Sequence, residues 1–132
     1  MLAAREATVQ GRLYDLPYGF PALVVPEEDV QAIGTTNYLA DTKKQNNATP
    51  ITRAISPGWD AVHGELFSFD DPEERLPALD ALEGFRPGEQ SFYKRVLVPA
   101  ELVPTGTTVL AWAYATESAS GMYLPGGHWP VS

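Results

Sequence analysis

The sequence predicts an α+β fold: a single domain over residues 1–132 with a curled, mainly antiparallel sheet and one principal helix. Short apolar runs rich in β-branched and aromatic residues recur along the chain, with turn residues between them. One segment, residues 71–84, has helix start and stop signals at its two ends. The 132 residues, of which 44% are hydrophobic, suffice for one folded core and are too few for two.

The first two strands are predicted to form a hairpin. Residues 8–16 (TVQGRLYDL) alternate imperfectly between apolar and polar, and their β-favouring side chains include Val9 and Tyr14. Residues 17–21 (PYGFP) are turn-forming, and residues 22–25 (ALVV) are a second short apolar run. Because the connection between them is short, we expect the two strands to pair antiparallel.

Three more strands are predicted further along the chain. They are residues 62–69 (VHGELFSF), 92–98 (FYKRVLV), which Pro99 is expected to end, and 108–116 (TVLAWAYAT). The pattern Val-x-Gly-x-Leu-aromatic occurs in the first and the third strand, with Gly11 and Gly64 at the same place. Glycine at that place favours bends in a sheet that curls toward a barrel, and a chance similarity is the alternative.

The principal helix is predicted from residue 72 to residue 83. Asp71 suits the N-cap, Pro72 suits the first helical position, and Glu74 completes an Asp-x-x-Glu capping pattern. Pro77 lies inside the segment, and we expect it to bend or interrupt one turn. Gly84 is expected to end the helix in the left-handed conformation that glycine adopts without strain.

Two stretches have no clear pattern. Residues 27–60 are longer than a usual connection, which predicts a functional or mobile insertion, or a short hidden element. Within them residues 49–55 (TPITRAI) favour a strand, and we expect them to cover a free edge of the sheet. The alternatives are that the C-terminal tail or a second copy of the chain covers that edge. Residues 121–129 (GMYLPGGHW) have too many Gly and Pro for a strand, and form either a loop over a ligand or a C-terminal strap.

Composition argues against several classes of function. The net charge of −8 and a pI near 4.6 are unlike the basic stripe that a nucleic-acid binder needs. No apolar run approaches the ~18 residues of a membrane span. Without cysteine, and with His63 and His128 far apart, neither a thiolate nor a zinc site is expected. We therefore expect a cytoplasmic protein, a monomer or weak homodimer, that uses no metal or cofactor.

Glu83 is the strongest candidate for a catalytic residue. At about 100° per residue it lies near +40° when Leu79 is placed at zero, inside an arc that runs from Leu76 to Leu82. Asp80, near +100°, lies on the flank of that arc. A desolvated carboxylate in this position is suited to general acid–base catalysis near neutral pH. The alternative is a glutamate in a frayed last turn that swings out to water.

Tyr93 is a second, weaker candidate for a functional residue. It shares a strand face with Arg95 and Leu97. Packing in the core is the alternative to a role at a ligand site.

Five short pieces, in order along the chain, resemble the gamma-glutamylcyclotransferase-like family. They are residues 9–25 (VQGRLYDLPYGFPALVV), 62–67 (VHGELF), 79–85 (LDALEGF), 93–98 (YKRVLV) and 111–114 (AWAY). The resemblance runs from Ala7 to Tyr114 and more loosely to Trp129. It implies a small mixed β-barrel with flanking helices and a cavity at one side. By motif position it also implies that Glu83 is the catalytic acid–base residue and that Tyr93 lies near the substrate.

One part of the family pattern is not found in the sequence. Members of the family open with a strand bearing Tyr-Gly-Ser/Thr, and the loop after it holds the substrate through backbone N–H groups. In this sequence residues 1–6 (MLAARE) lack that motif, and by comparison with the family we expect the motif before them.

The first expected function is a cyclotransferase, or a descendant of one, that forms 5-oxoproline from a γ-glutamyl amine or amide through Glu83. The alternative is a non-catalytic module that binds a small ligand or a partner in the same cavity. The third possibility is a structural fragment that needs another chain to complete its fold.

Overall fold

The computed structural model describes residues 3–16, 21–49, 55–87, 91–117 and 121–127. In chain order its elements are β1 (Ala3–Asp15), β2 (Pro21–Val24), a 3₁₀ turn (Glu27–Asp29), β3 (Ala32–Ile33), α1 (Tyr38–Asn47), β4 (Asp60–Ser68), α2 (Pro72–Glu83), β5 (Lys94–Leu102), β6 (Thr108–Ala115) and β7 (Met122–Leu124). The predicted turn at residues 17–20, residues 50–54 of the predicted edge strand and residues 128–129 lie outside the described residues.

The strands form one curled sheet that does not close into a barrel. Every pairing between the described strands is antiparallel, so the α+β class is confirmed while the expected mixed pairing is not seen. The N-terminal part of β1 pairs with β4 and β5, and its C-terminal part pairs with β2 and β7. The predicted hairpin of the first two strands is therefore confirmed.

Gly11 lies where β1 passes from one set of partners to the other. A Cβ atom there would lie 2.8 Å from the carbonyl oxygen of Val24 and 2.9 Å from Leu23 Cδ1, so a side chain would force β1 and β2 apart. At Gly64 a Cβ atom would meet nothing within 4 Å. Of the two glycines in the repeated sequence pattern, packing therefore requires glycine at Gly11 and not at Gly64.

β5 carries the centre of the core. It pairs along its length with β6, and its buried Val96 and Val98 pack with Ala115. Pro99 does not end the strand, contrary to expectation. On the edge of β5 that faces away from β6, residues 96–97 pair with β3 and residues 101–102 pair with β1. Pro99 lies between these two pairings, where no described strand pairs with that edge. The missing N–H of proline therefore removes no ladder hydrogen bond on that side.

α2 has the predicted bounds, and Gly84 ends it with a left-handed φ of 71°. Asp71 occupies the N-cap position, but its side chain makes no capping hydrogen bond. Pro77 does not interrupt the helix, contrary to expectation. Leu76 and Asp80 on either side of it are buried, and their contacts offset the one helical hydrogen bond that a proline cannot donate.

α1 corrects the expectation of one principal helix, because the segment 27–60 hides a second one. Asn37 caps it, since its Oδ1 accepts a hydrogen bond from the Ala40 N–H at 3.1 Å. The side chain that α1 buries is Asp41, a carboxylate rather than an apolar group. Its sequence therefore has no apolar face from which a helical period can be read.

The C-terminal segment contributes a strand, contrary to the expectation from its Gly and Pro content. β7 pairs with residues 13–15 of β1, and the rings of Tyr14 and Tyr123 lie with centroids 5.6 Å apart. Nearby, the Thr116 N–H donates to the carbonyl oxygen of Leu23 at 2.8 Å, which joins the end of β6 to β2. A pairing of three residues is too short to appear as an alternation in the sequence.

Candidate functional site

A cavity of about 780 Å³ lies against the curled sheet. Small and aliphatic side chains of β1, β4, β5 and β6 form much of its wall: Ala7, Val9, Leu13, Val62, Leu66, Ala100, Ala111 and Ala113. The alanines matter because larger side chains at their positions would fill the space. Both the volume and the mostly apolar wall are typical of small-molecule sites.

Three polar side chains that line the cavity come from separate elements. Glu83 is the last residue of α2, Tyr93 comes immediately before β5, and Tyr114 lies on β6. Burial raises the pKa of both phenols, and the charge of Glu83 raises the pKa of each further. The structure thus brings together the two residues predicted from sequence, Glu83 and Tyr93, and adds Tyr114.

The burial of α2 differs from the angular prediction. Asp80, expected on the flank, is 2% exposed, whereas Leu82 is 79% exposed and Glu83 is also exposed. The buried side of the helix is centred on Leu76 and Asp80, which are four residues apart and share one face. On this buried face Asp80 forms an ion pair with Arg95. Glu83 therefore reaches the cavity from its solvent side, and its predicted place among buried leucines is wrong.

Tyr93 is fixed by one hydrogen bond and one ring contact. Its hydroxyl donates to the carbonyl oxygen of Pro21 at 2.7 Å. The ring of Phe92, which also lines the cavity, packs edge-on against it with centroids 4.8 Å apart. The phenol is therefore held at the cavity wall, and its binding role stays a prediction.

Tyr114 is fixed by Asp80. Its hydroxyl donates to Asp80 Oδ1 at 2.6 Å. Burial is the main reason that the pKa of this phenol is raised, and the hydrogen bond to the Asp80 carboxylate raises it further. Tyr114 is therefore neutral through the physiological pH range, and its proton stays on the bond to Asp80.

Asp80 joins the two helices to the sheet. In addition to the hydrogen bond from Tyr114 on β6, Asp80 accepts a hydrogen bond from the hydroxyl of Tyr38, on α1, at 2.9 Å. It also accepts two N–H groups of Arg95, on β5, at 2.8 and 3.2 Å. A buried carboxylate that receives four such hydrogen bonds is well compensated for its loss of water.

Arg95, 0% exposed, carries the positive charge of this cluster and also donates to Asp41 Oδ2 at 3.1 Å. Burial lowers the pKa of Arg95, but the hydrogen bonds and charges of Asp80 and Asp41 outweigh that effect and raise it. The Trp112 ring lies 4.6 Å from the guanidinium carbon. A Cβ atom on Gly34 would lie 2.6 Å from that carbon, so glycine lets the segment before α1 cover the charge. We call Asp41, Asp80 and Arg95 the buried triad.

The sequence analysis missed the buried triad and Tyr114. Arg95 gave a signal, because a charged side chain within the apolar run 92–98 needs a partner if the strand is buried. No signal in the sequence pointed to the partners of Arg95, since Asp41 is 54 residues away along the chain. Only the packing of α1 and α2 on β5 brings them together.

Two kinds of feature are not found in the part of the chain that the structure describes. No group of three or more His, Cys, Asp or Glu side chains is placed to hold a metal ion. No described helix has both the length and the apolar composition to cross a membrane.

One comparison with known proteins decides the family. The family model of gamma-glutamyl cyclotransferase, AIG2-like proteins matches residues 38–131, well over half of the chain. The chain belongs to this family. The gamma-glutamyl cyclotransferase match includes Glu83, Tyr93 and the whole buried triad, and it overlaps the resemblance seen in the sequence from Tyr38 onward. It begins inside the predicted insertion, after β1 and β2. No curated protein and no solved structure matches the chain.

Proposed function

We propose that this chain forms 5-oxoproline from a γ-glutamyl amine or amide, with Glu83 as the general acid–base residue. The observation that carries the proposal is the position of Glu83, which ends α2 at the wall of the cavity that Tyr93 and Tyr114 also line. The motif LDALEG at residues 79–84 supports the same assignment, because the resemblance implies a catalytic glutamate at that place. Family membership over residues 38–131 supports the reaction class.

The proposed reaction is intramolecular and needs one proton carrier. The α-amino nitrogen of the substrate attacks the γ-carbonyl carbon, a new C–N bond closes the five-membered ring, and the C–N bond to the leaving amine breaks. Glu83 accepts a proton from the attacking nitrogen and gives a proton to the leaving amine, so its carboxylate ends as it began. Proton transfer of this kind typically contributes about 10²–10⁴-fold to the rate.

The buried triad supports the role of Glu83 by fixing the helix that carries it. Asp80, three residues before Glu83, is held by Arg95 on β5 and by Tyr38 on α1. Catalytic groups on rigid elements are positioned more accurately than groups on loops. The apolar wall of the cavity suits the hydrocarbon part of the leaving amine, and Tyr93 is proposed to contact the substrate.

The test is chromatographic detection of 5-oxoproline formed by the full chain from a set of γ-glutamyl amides. We expect turnover by the wild-type chain and a loss of about 10²–10⁴ in kcat/KM for Glu83→Gln, which keeps the shape and removes proton transfer. The matched control is Glu65→Gln, because Glu65 is another carboxylate residue that lines the same cavity. Its kcat/KM is expected to stay within about threefold of wild type. A fully active Glu83→Gln chain would overturn the proposal.

A non-catalytic module that binds a small ligand in the same cavity is the second candidate. The exposure of Glu83 favours it, because carboxylates that act as general acids are commonly desolvated. This candidate becomes the conclusion if γ-glutamyl amides shift the NMR signals of Tyr93 and Tyr114 while no 5-oxoproline forms.

A further inference from the structure

The β4 strand has an edge that is mostly without a partner. On one edge it pairs with β1 over its whole length, and no other described strand pairs with it. On its other edge the described C-terminal segment makes contact at one point, where the His63 N–H donates to the carbonyl oxygen of Gly127 at 2.9 Å. Past His63, residues 64–68 (GELFS) have no described backbone partner on that edge. We call residues 64–68 the free edge.

The hydrogen bond of His63 shows which backbone groups the free edge presents. In an antiparallel strand the N–H and C=O groups of every second residue point to the same edge. Because the His63 N–H points away from β1, the N–H and C=O groups of Glu65 and Phe67 do so as well. These groups are available to a further strand.

The side chains of the free edge do not protect it against pairing. Natural edge strands commonly carry lysine, proline or a bulge, which discourage pairing with another chain. The free edge has no lysine or proline, and its register with β1 runs without interruption. Its single charged residue is Glu65, and the ring of Phe67 is 48% exposed. The free edge is therefore open to the addition of a strand.

We propose that a second copy of this chain pairs with the free edge, β4 against β4, in an antiparallel dimer with its two-fold axis at Leu66. In this register Leu66 lies opposite the partner's Leu66, and Glu65 lies opposite the partner's Phe67. All residues of the free edge pair in this way. No two like charges lie directly opposite each other, so the acidic chain can approach its own copy here.

The two neighbouring registers fit the free edge less well. An axis at Glu65 sets two glutamates directly opposite each other, and like charges in that arrangement destabilise a sheet. It also needs the His63 N–H, which is already bound to Gly127. An axis at Phe67 pairs only residues 66–68 of the strand, since β4 ends at Ser68.

The second copy contributes a side chain to the cavity. Leu66 lines the cavity, and residues directly opposite each other in a sheet lie on the same face. The partner's Leu66 therefore extends the apolar wall beside Leu66. Stable interfaces bury about 1,200–2,000 Å², more than two such short edges provide, so we expect a weak, concentration-dependent dimer. Dimer formation does not depend on the proposed function.

Two variants at one position test the proposal by the sign of a charge. Phe67→Glu sets a glutamate opposite the partner's Glu65 on both sides of the axis, whereas Phe67→Lys sets a lysine there. Phe67 is exposed, so both variants are expected to fold. In sedimentation equilibrium of the full chain up to ~1 mM, we expect wild type to dimerise, and Phe67→Glu to do so about tenfold more weakly than Phe67→Lys. Equal dimerisation of the two variants, or a wild-type chain that stays monomeric, would overturn the proposal.

Single cysteines locate the axis, because the chain has no cysteine of its own. In the proposed register the two residues at position 66 have Cα atoms about 4.5 Å apart, within the range that a disulfide spans. Those at position 67 are diagonal neighbours about 7–8 Å apart, beyond that range. Under mild oxidation we expect Leu66→Cys to form a covalent dimer about tenfold faster than the more exposed Phe67→Cys, as measured by non-reducing electrophoresis. Equal rates, or a faster reaction of Phe67→Cys, would show that the axis is not at Leu66 and that the proposed pairing is wrong.

Discussion

Two carboxylates on α2, three residues apart, lie in opposite surroundings. Asp80 is 2% exposed and accepts hydrogen bonds from Arg95, Tyr38 and Tyr114. Glu83 is exposed, lines the cavity, and accepts no hydrogen bond from any side chain that the structure describes. The difference shows that the buried side of this helix includes a charged group, Asp80, as well as Leu76.

The physical reason lies in the cost of burying Arg95. A guanidinium that is fully removed from water needs carboxylate partners with good geometry, and α1 and α2 each supply one. With Asp80 bound to Arg95, Leu82 is exposed to solvent and Glu83 lies at the cavity. The inner carboxylate therefore serves the fold, and the outer one is available for chemistry.

The largest expected effect is on the inner carboxylate. Asp80→Ala leaves Arg95 with a weaker set of buried partners, so we expect the free energy of unfolding to fall by about 3–5 kcal/mol. Urea denaturation followed by circular dichroism measures it. Asp70→Ala, which removes an exposed carboxylate just before the helix, is the control and is expected to change stability by less than about 0.5 kcal/mol. Equal losses in the two variants would contradict the role of Asp80 as a buried partner of Arg95.

A smaller effect is expected where glycine covers the buried triad. Gly34→Ala places a Cβ atom 2.6 Å from the guanidinium carbon of Arg95, so we expect a loss of about 1–3 kcal/mol in the same denaturation experiment. Gly64→Ala is the matched control, because a Cβ atom there meets nothing within 4 Å. If Gly34→Ala is as stable as Gly64→Ala, the packing over Arg95 is not as described.

Alkaline pH sharpens the comparison further. The pKa of Tyr114 is raised in the fold by burial and by Asp80, so above the unfolded value of about 10 the unfolded chain loses this proton and the folded chain keeps it. The stability that the raised pKa provides is present below pH 10 and is lost as the pH rises. We expect Tyr114 to contribute to the fall in the free energy of unfolding as the pH rises above 10, and Tyr114→Phe to make that fall shallower. An unchanged slope in Tyr114→Phe would mean that this phenol titrates like an exposed one.

Local signals were enough to predict some of this molecule. Pro72 and Gly84 delimit α2 because helix ends depend on the residues next to them. The strand at residues 108–116 was visible from its own alternation. Glu83 was identified as a candidate from its place on the helix and its motif, although the angular argument gave it the wrong burial.

The remainder depends on contacts between distant parts of the chain. α1 was not predicted because its one buried side chain, Asp41, is fixed by Arg95 on a strand far along the chain. β7 was not predicted because its three-residue pairing with β1 is too short to appear as an alternation in the sequence. Tyr114 could not be placed at the same cavity as Glu83 before the fold was known, because the two residues lie on different elements.

The most direct test of the account is the rate of 5-oxoproline formation per folded molecule in Glu83→Gln and Asp80→Asn. The account predicts that Glu83→Gln keeps the wild-type folded fraction and loses about 10²–10⁴-fold in rate. Asp80→Asn is expected to lose stability, while its rate per folded molecule stays within about tenfold of wild type. Equal losses of rate per folded molecule in the two variants, or a fully active Glu83→Gln chain, would contradict the claim that one carboxylate serves the fold and the other the chemistry.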